Sequence, residues 1–219
     1  MNKSLWVSFY AIAMAAVESA VVVYLRALHP AQASVSVLLH QLPPNLVTIE
    51  IGREAATLVM ILAVAALAGR TLRDRFLYFA LIFGIWDIFY YVWFRVFIGW
   101  PPSLFTWDVL FLIPVPWLGP VIAPIIVSLC LVAGSLWFLT HPTLQLRPLA
   151  WGLVILGAAV VLLSFTLDYR YAIARTDPPR FRWELFGSGI ALAMLGLTIP
   201  FFTPRIVAPR APLSAPPPA

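Results

Sequence analysis

The sequence predicts an all-α, polytopic transmembrane bundle of about six helices, and three observations support that fold class. Apolar residues make up 62% of the 219 residues and charged residues only 11%, against roughly 45–50% and about 25% in a soluble domain. The apolar residues fall in runs close to the ~20 that a helix needs to cross a bilayer. Most of the 20 prolines lie between those runs or in the C-terminal tail, so the runs themselves can be helical.

The runs predict a single transmembrane helical domain over residues 1–203. At about 1.5 Å per residue each run can cross ~30 Å of hydrocarbon. The predicted helices cover residues 5–28, 48–69, 76–99, 119–140, 149–168 and 185–202. A shorter apolar stretch, 104–113, is framed by prolines and is predicted to be a short re-entrant or interfacial helix between the third and fourth spans. Residues 204–219 are Pro-rich and are predicted to form a disordered tail.

Basic residues indicate the orientation of these spans. In a six-helix arrangement one side carries most of them: Lys3, Arg70, Arg73, Arg75, Arg147, Arg205 and Arg210. The positive-inside rule makes that side cytoplasmic, which puts both termini in the cytoplasm and the chain in the inner (plasma) membrane. The loop on the other side contradicts this in part, because it carries Arg170, Arg175, Arg180 and Arg182. The charge of +5 comes from scattered arginines at the ends of apolar runs, so nucleic acid is excluded as a partner.

Ionisable side chains inside the predicted spans are the most informative residues. Each costs at least ~2.5–3.5 kcal/mol in hydrocarbon, so each needs a partner, water or a function. Glu18, Glu54 and Asp87 lie on the first, second and third helices, each roughly 8–15 Å below the predicted outer boundary. One cavity could hold all three carboxyl groups if their helices adjoin. We therefore expect a shared, water-accessible recess.

The residues around these carboxyl groups define a candidate site. Burial raises the pKa of a carboxyl group and suits it to acid–base catalysis, so Asp87, Glu54 and Glu18 are the candidate catalytic groups. The aromatic third helix and the charged start of the second supply the other candidates. The predicted ligand-binding residues are Arg53, Arg95, Glu50, Tyr91, Trp86 and Asp108. Arg53 and Arg95 are expected to be the counter-charges and to hold an anionic head group.

Several functions fit this pattern. The preferred hypothesis is binding of a small amphipathic or lipid-like molecule in a polar intramembrane pocket that opens to the outer side, with acid–base chemistry at Asp87 left open. A second hypothesis is an accessory subunit of a membrane complex, in which the charges only order the helices. A third is proton- or cation-coupled transport. The expected partners are the bilayer, a hydrophobic small molecule and a membrane-protein partner, and the sequence names no cofactor.

The sequence does not place the residues that a haem, metal or serine-hydrolase site requires. His29, His40 and His141 all lie in predicted loops, and Cys130 is the only cysteine, so no haem or metal site is predicted. No G-x-S-x-G motif occurs either. Gly187 with Ala191, and Gly189 with Ala193, are pairs of small residues one turn apart, which favour close packing between helices.

Overall fold

The computed structural model describes residues 2–28, 44–144, 146–174 and 180–202, and this part of the chain is mostly helical. The predicted tail, His29 and His40, and the basic residues Arg175, Arg205 and Arg210 lie outside the described residues. The helices and strands follow in chain order: α1 (Lys3–Leu28), α2 (Pro44–Ala68), α3 (Leu72–Ile98), β1 (Trp107–Phe111), β2 (Trp117–Pro120), α4 (Ile122–Thr140), α5 (Pro148–Thr166), α6 (Tyr169–Ala174) and α7 (Trp183–Phe202).

Five helical segments of the described chain are long and apolar enough to cross a membrane, which agrees with the predicted class. They are α1, α2, α3, α4 and the stretch from α5 to Tyr171, while the apolar part of α7 is shorter. Large apolar side chains cover the outward faces of these helices, including Leu67, Val59 and Leu149. A soluble protein rarely exposes apolar patches of that extent.

Except for α4, the long helices begin earlier than the apolar runs predict, and the first turns of α2 and α3 accommodate proline and polar residues. Pro44 is the first residue of α2, a position where proline has no hydrogen bond to lose. At α3 the Thr71 side chain caps the helix by accepting a hydrogen bond from the Asp74 N–H at 3.1 Å. The helix ends at Gly99, whose φ of 68° is the left-handed conformation that favours glycine.

The prediction of a short helix over 104–113 is wrong, because this stretch contains the first strand of an antiparallel β-hairpin. β1 and β2 pair from Trp107 opposite Pro120 to Phe111 opposite Trp117. Proline at 114 and 116 cannot donate a helical hydrogen bond and favours extended backbone in the residue before it. The paired strands satisfy their own backbone groups. α4 therefore begins at Ile122 instead of residue 119, since Gly119 and Pro120 belong to β2.

The helices form two groups that the hairpin connects. In the first group α3 is central and packs against α1, α2 and α4, while α1 and α2 have few direct contacts. The second group is the closely packed pair α5 and α7. β2 contacts α4, α5 and α6, so the connection between α3 and α4 also links the two groups.

Small residues allow α5 and α7 to approach. A Cβ atom on Gly157 of α5 would lie 2.5 Å from the Gly189 carbonyl oxygen and 2.5 Å from the Ala193 nitrogen. The predicted packing role of Gly189 and Ala193 is therefore confirmed. It is wrong for Gly187, because a Cβ atom there would have no neighbour within 4 Å.

Basic side chains bind carbonyl groups at one end of the bundle. Lys3 Nζ donates to the Ala68 carbonyl at 2.7 Å, and Arg73 Nη2 donates to the Phe138 carbonyl at 2.7 Å. The last carbonyls of a helix have no partner within the helix and carry partial negative charge. The start of α1, the start of α3 and the ends of α2 and α4 therefore share one end of the molecule.

Candidate functional site

A polar recess lies between α1, α2, α3 and the hairpin, where the sequence predicts a shared cavity. Its volume is about 80 Å³, which is space for a few water molecules or one small head group. Apolar side chains such as Val22, Leu25 and Phe111 complete the wall. The polar residues that line it are Arg26, Glu50, Arg53, Glu54, Thr57, Asp87, Tyr90, Tyr91 and Asp108.

Arg53 is the centre of a charge network that joins α1 to α2. Its guanidinium group donates to a carboxylate oxygen of Glu18 and, at 2.8 Å, to Glu50 Oε2. Glu18 also accepts a hydrogen bond from the Thr57 hydroxyl at 2.6 Å. Glu18 is buried, and it reaches the recess only through Arg53 and Thr57, which line it. Because two carboxylates already neutralise Arg53, this residue is not free to hold an anionic head group as the sequence suggested.

Glu54 lies one helical turn after Glu50 and faces the hairpin. Its Oε2 atom accepts a hydrogen bond from the Leu112 backbone N–H at 2.9 Å, which holds the end of β1 against α2. Oε1 has no donor, and neither oxygen forms an ion pair, among the described residues. Glu54 is therefore a buried carboxyl group with one oxygen available on the wall of the recess.

Asp87 connects the recess to α4. Its Oδ2 atom accepts a hydrogen bond from the Ser128 hydroxyl at 2.8 Å. Gly84, one turn earlier on α3, makes this contact possible, since a Cβ atom there would lie 2.8 Å from the Ser128 carbonyl oxygen. Within the described chain Asp87 has no ion pair. The two carboxyl groups without a guanidinium partner, Glu54 and Asp87, are chemically able to bind a cation or a proton.

Asp108 reaches the recess from β1, outside the membrane-crossing helices. Its Oδ2 atom accepts a hydrogen bond from the Tyr91 hydroxyl at 3.2 Å, and its Oδ1 atom lies 3.9 Å from Arg26 Nη2. Burial raises the pKa of Asp108 to about 6, although Arg26 and the Tyr91 hydrogen bond both act to lower it. In this pair of interactions desolvation outweighs the neighbouring positive charge.

Arg26 is a site residue that the sequence analysis did not identify. Its guanidinium carbon lies 4.1 Å from the centre of the Trp100 ring and 4.8 Å from that of Phe94. Such stacking holds a cation over an aromatic face and directs Arg26 towards Asp108. The only signal in the sequence is an arginine near the end of an apolar helix, and its partners become visible only when the hairpin is known.

Arg95 does not take part in the recess, so its predicted role as a counter-charge is wrong. Its Nη1 atom donates to the Gly99 and Pro101 carbonyl oxygens. Arg95 is in the last turn of α3, where carbonyl groups lack helical partners and attract a cation. The nearby helix end therefore takes the side chain that was expected to balance the carboxyl groups of the recess.

The aromatic wall of the recess includes one buried donor without an acceptor. Ring contacts run along α3 from Phe83 to Trp86 and from Trp86 to Tyr90, with centroid distances of 5.5 and 6.1 Å. Trp86 lines the recess and is only 7% exposed, and its indole N–H has no partner among the described residues. Buried polar groups are nearly always satisfied by protein, water or ligand. An acceptor for this N–H group would have to come from water, a ligand or the rest of the chain.

Carboxyl groups outnumber guanidinium groups around the recess. Glu50, Glu54, Asp87 and Asp108 line it and Glu18 lies behind its wall, whereas the guanidinium groups are those of Arg26 and Arg53. Among the described residues no group of three or more His, Cys, Asp or Glu side chains could hold a metal ion.

No known protein family matches this chain, and neither a curated protein nor a solved structure is significantly similar to it. Function must therefore be argued from the recess itself.

Proposed function

We propose that this chain is an integral membrane protein that binds the polar end of a small amphipathic or lipid-like molecule in the recess between α1, α2, α3 and the hairpin. One observation carries the proposal: a small recess lined by charged side chains lies among helices whose outward faces are apolar. A cavity of about 80 Å³ suits a head group, whereas sites that enclose a whole drug-sized ligand are roughly 300–1,000 Å³. The apolar part of the ligand would lie outside, against the helices or in lipid.

The proposed location is the inner (plasma) membrane with both chain ends in the cytoplasm. Support comes from Lys3 and Arg73, which bind carbonyl groups at one end of the bundle, because basic residues favour the cytoplasmic side. Glu50 and Asp108 lie towards the other end of the bundle. Glu50 is near the start of α2, and Asp108 follows the end of α3. The recess would then open to the outer side of the membrane.

The proposal is tested by replacing an apolar residue on the wall of the recess with tryptophan. Val109→Trp fills space between the hairpin and α3, since Val109 lines the recess. Val59→Trp is the matched control, because Val59 faces outward on α2 and is 64% exposed. Both full-length variants and the unchanged protein are extracted in mild detergent, and native mass spectrometry measures any small molecule that remains bound.

We expect a defined small molecule on the unchanged protein and on Val59→Trp, and its loss from Val109→Trp. If all three proteins retain the same molecules equally, the molecules bind elsewhere and the recess is not the site. If the unchanged protein carries no molecule and none of a panel of amphiphiles binds saturably, the proposal is overturned.

A further inference from the structure

We infer that the recess selects a positively charged head group, a protonated primary amine carried on an apolar chain. This inference rests on the proposed function and adds the chemical class of the ligand. Its starting point is the charge balance: Arg53 already bonds Glu18 and Glu50, and Arg26 lies 3.9 Å from Asp108, whereas Glu54 and Asp87 have no ion pair among the described residues.

The second step is the position of the unpaired acceptors. Glu54 Oε1 has no donor and Asp87 has only the Ser128 hydroxyl on its other oxygen, within the part of the chain that the structure describes. Both residues line the same recess. An ammonium group brings three N–H donors and one positive charge, which matches two carboxyl groups that lack a cation. Charge-assisted hydrogen bonds of this kind are about twice as strong as neutral ones.

The third step concerns the aromatic wall and the size of the recess. Trp86, Tyr90 and Tyr91 line the recess, and aromatic faces attract cations through their ring quadrupoles. A volume of about 80 Å³ accommodates a compact –CH₂–NH₃⁺ group more readily than a trimethylammonium group. A carboxylate or sulfate head group would meet an excess of negative charge and is therefore rejected.

The test uses full-length protein in nanodiscs of neutral phosphatidylcholine, titrated calorimetrically against empty nanodiscs. The probes share a twelve-carbon chain: dodecylamine, 1-amino-2-dodecanol, dodecanol, dodecanoic acid and dodecyltrimethylammonium. Asp87→Asn and Glu54→Gln remove a charge but keep an acceptor for Ser128 and Leu112. Asp74→Asn is the matched control on α3, since Asp74 pairs with Arg73 at the other end of the helix.

We expect saturable binding of the two primary amines, at least about tenfold weaker in Asp87→Asn and in Glu54→Gln and unchanged in Asp74→Asn. If dodecanol or dodecanoic acid binds as tightly as the amines, and the charge variants bind equally, the cationic head group is wrong while the amphiphile-binding recess stands. If no probe binds saturably, the proposed function fails together with the inference.

Discussion

The two helix groups of this protein are held together by different physics. α5 and α7 approach through glycine and alanine at Gly157, Gly189 and Ala193, with backbone atoms in direct contact. The group around α3 instead places charged side chains between its helices, with Arg53 joining α1 to α2 and Asp87 joining α3 to α4. A membrane helix gains little from apolar contact alone, because lipid is equally apolar. Close packing and polar contacts remain as ways to hold membrane helices together, and each group relies mainly on one of them.

The comparison shows where space remains between the helices of each group. Backbone contact between α5 and α7 leaves no room at Gly157, and the charged pair of this group, Arg182 with Asp168, lies beyond that contact at the start of α7. Polar contacts are longer, so they hold α1 and α2 apart and leave a recess beside them. The charges that order this group are thus the same residues that give the recess its chemistry. Stability and binding should respond together when they are changed.

The largest effect is expected at Arg53. Arg53→Met leaves Glu18 and Glu50 buried without their positive partner, and breaking a buried ion pair in this way costs about 3–5 kcal/mol. Reversible unfolding in mixed detergent measures the loss of free energy. Arg180→Met is the control, since its pair with Glu184 is exposed and is worth no more than about 1 kcal/mol.

The double variant Arg53→Met with Glu18→Gln sharpens this prediction. Removing the opposing charge as well should recover part of the stability, because the remaining side chains no longer carry an uncompensated charge. A double variant that is as unstable as the sum of the two single changes would show that Arg53 and Glu18 contribute independently. The account of α1 and α2 as joined by one network would then be wrong.

A larger side chain at the contact between α5 and α7 should lower the free energy of unfolding almost as much. Gly157→Val places carbon atoms against the Gly189 carbonyl and the Ala193 nitrogen, which are backbone atoms that cannot rotate away. Overpacking of this kind costs about 1–3 kcal/mol and here should reach the upper limit. Gly152→Val is the control on the same helix, because a Cβ atom there has no neighbour within 4 Å. Equal thermal stability of the two variants would contradict the packing described for α5 and α7.

Helix positions could be predicted from the sequence because the bilayer imposes a length and a polarity on each span. The cluster around Glu18, Arg53 and Glu54 was also predictable, since charges in apolar helices are costly unless their helices meet. The same argument selected Asp87. In each case the sequence contains the physical reason, because the cost of an isolated charge does not depend on the details of packing.

The hairpin and the residues it positions could not be predicted in this way. A stretch such as 104–113 is apolar both as a strand and as a helix, and hydropathy does not separate the two. Arg26 is important because of its contacts with Asp108 and Trp100, which lie far from it in sequence. Arg95 shows the converse error, since it was expected to balance the carboxyl groups of the recess, whereas it donates to carbonyl groups just beyond the end of α3. Partners that come from irregular segments need the fold.

A third prediction concerns pH and tests whether the hairpin carries a buried carboxyl group. Burial raises the pKa of Asp108 from 3.8 to about 6, so the folded protein binds a proton there that the unfolded chain has already released. The free energy of unfolding should therefore fall as the pH rises from about 4 to 6. Above that range Asp108 contributes no further change. The full effect is limited to about 3 kcal/mol, from a shift of about two units at 1.36 kcal/mol each.

Asp108→Asn should remove this component, since asparagine keeps an acceptor for the Tyr91 hydroxyl but does not titrate. The difference in unfolding free energy between variant and unchanged protein, measured from pH 4 to 7, isolates the contribution of this residue. A constant difference across that range would mean that Asp108 has an ordinary pKa and is solvated. Glu184→Gln serves as the control, because Glu184 is exposed and pairs with Arg180 instead of a hairpin residue.

The smallest effect is expected where the hairpin meets α2. Glu54→Ala removes the carboxylate that accepts the Leu112 N–H, and the loss of one such bond is worth about 1–3 kcal/mol when the donor remains buried. The effect should be local, because α3 and α4 keep their own contacts. Hydrogen exchange at the Leu112 amide should then quicken by roughly tenfold while α5 is unchanged. In Glu54→Gln the Leu112 amide should still exchange slowly, since the glutamine side-chain oxygen can accept its hydrogen bond. Equal protection of this amide in all three proteins would mean that Glu54 does not hold the hairpin against α2.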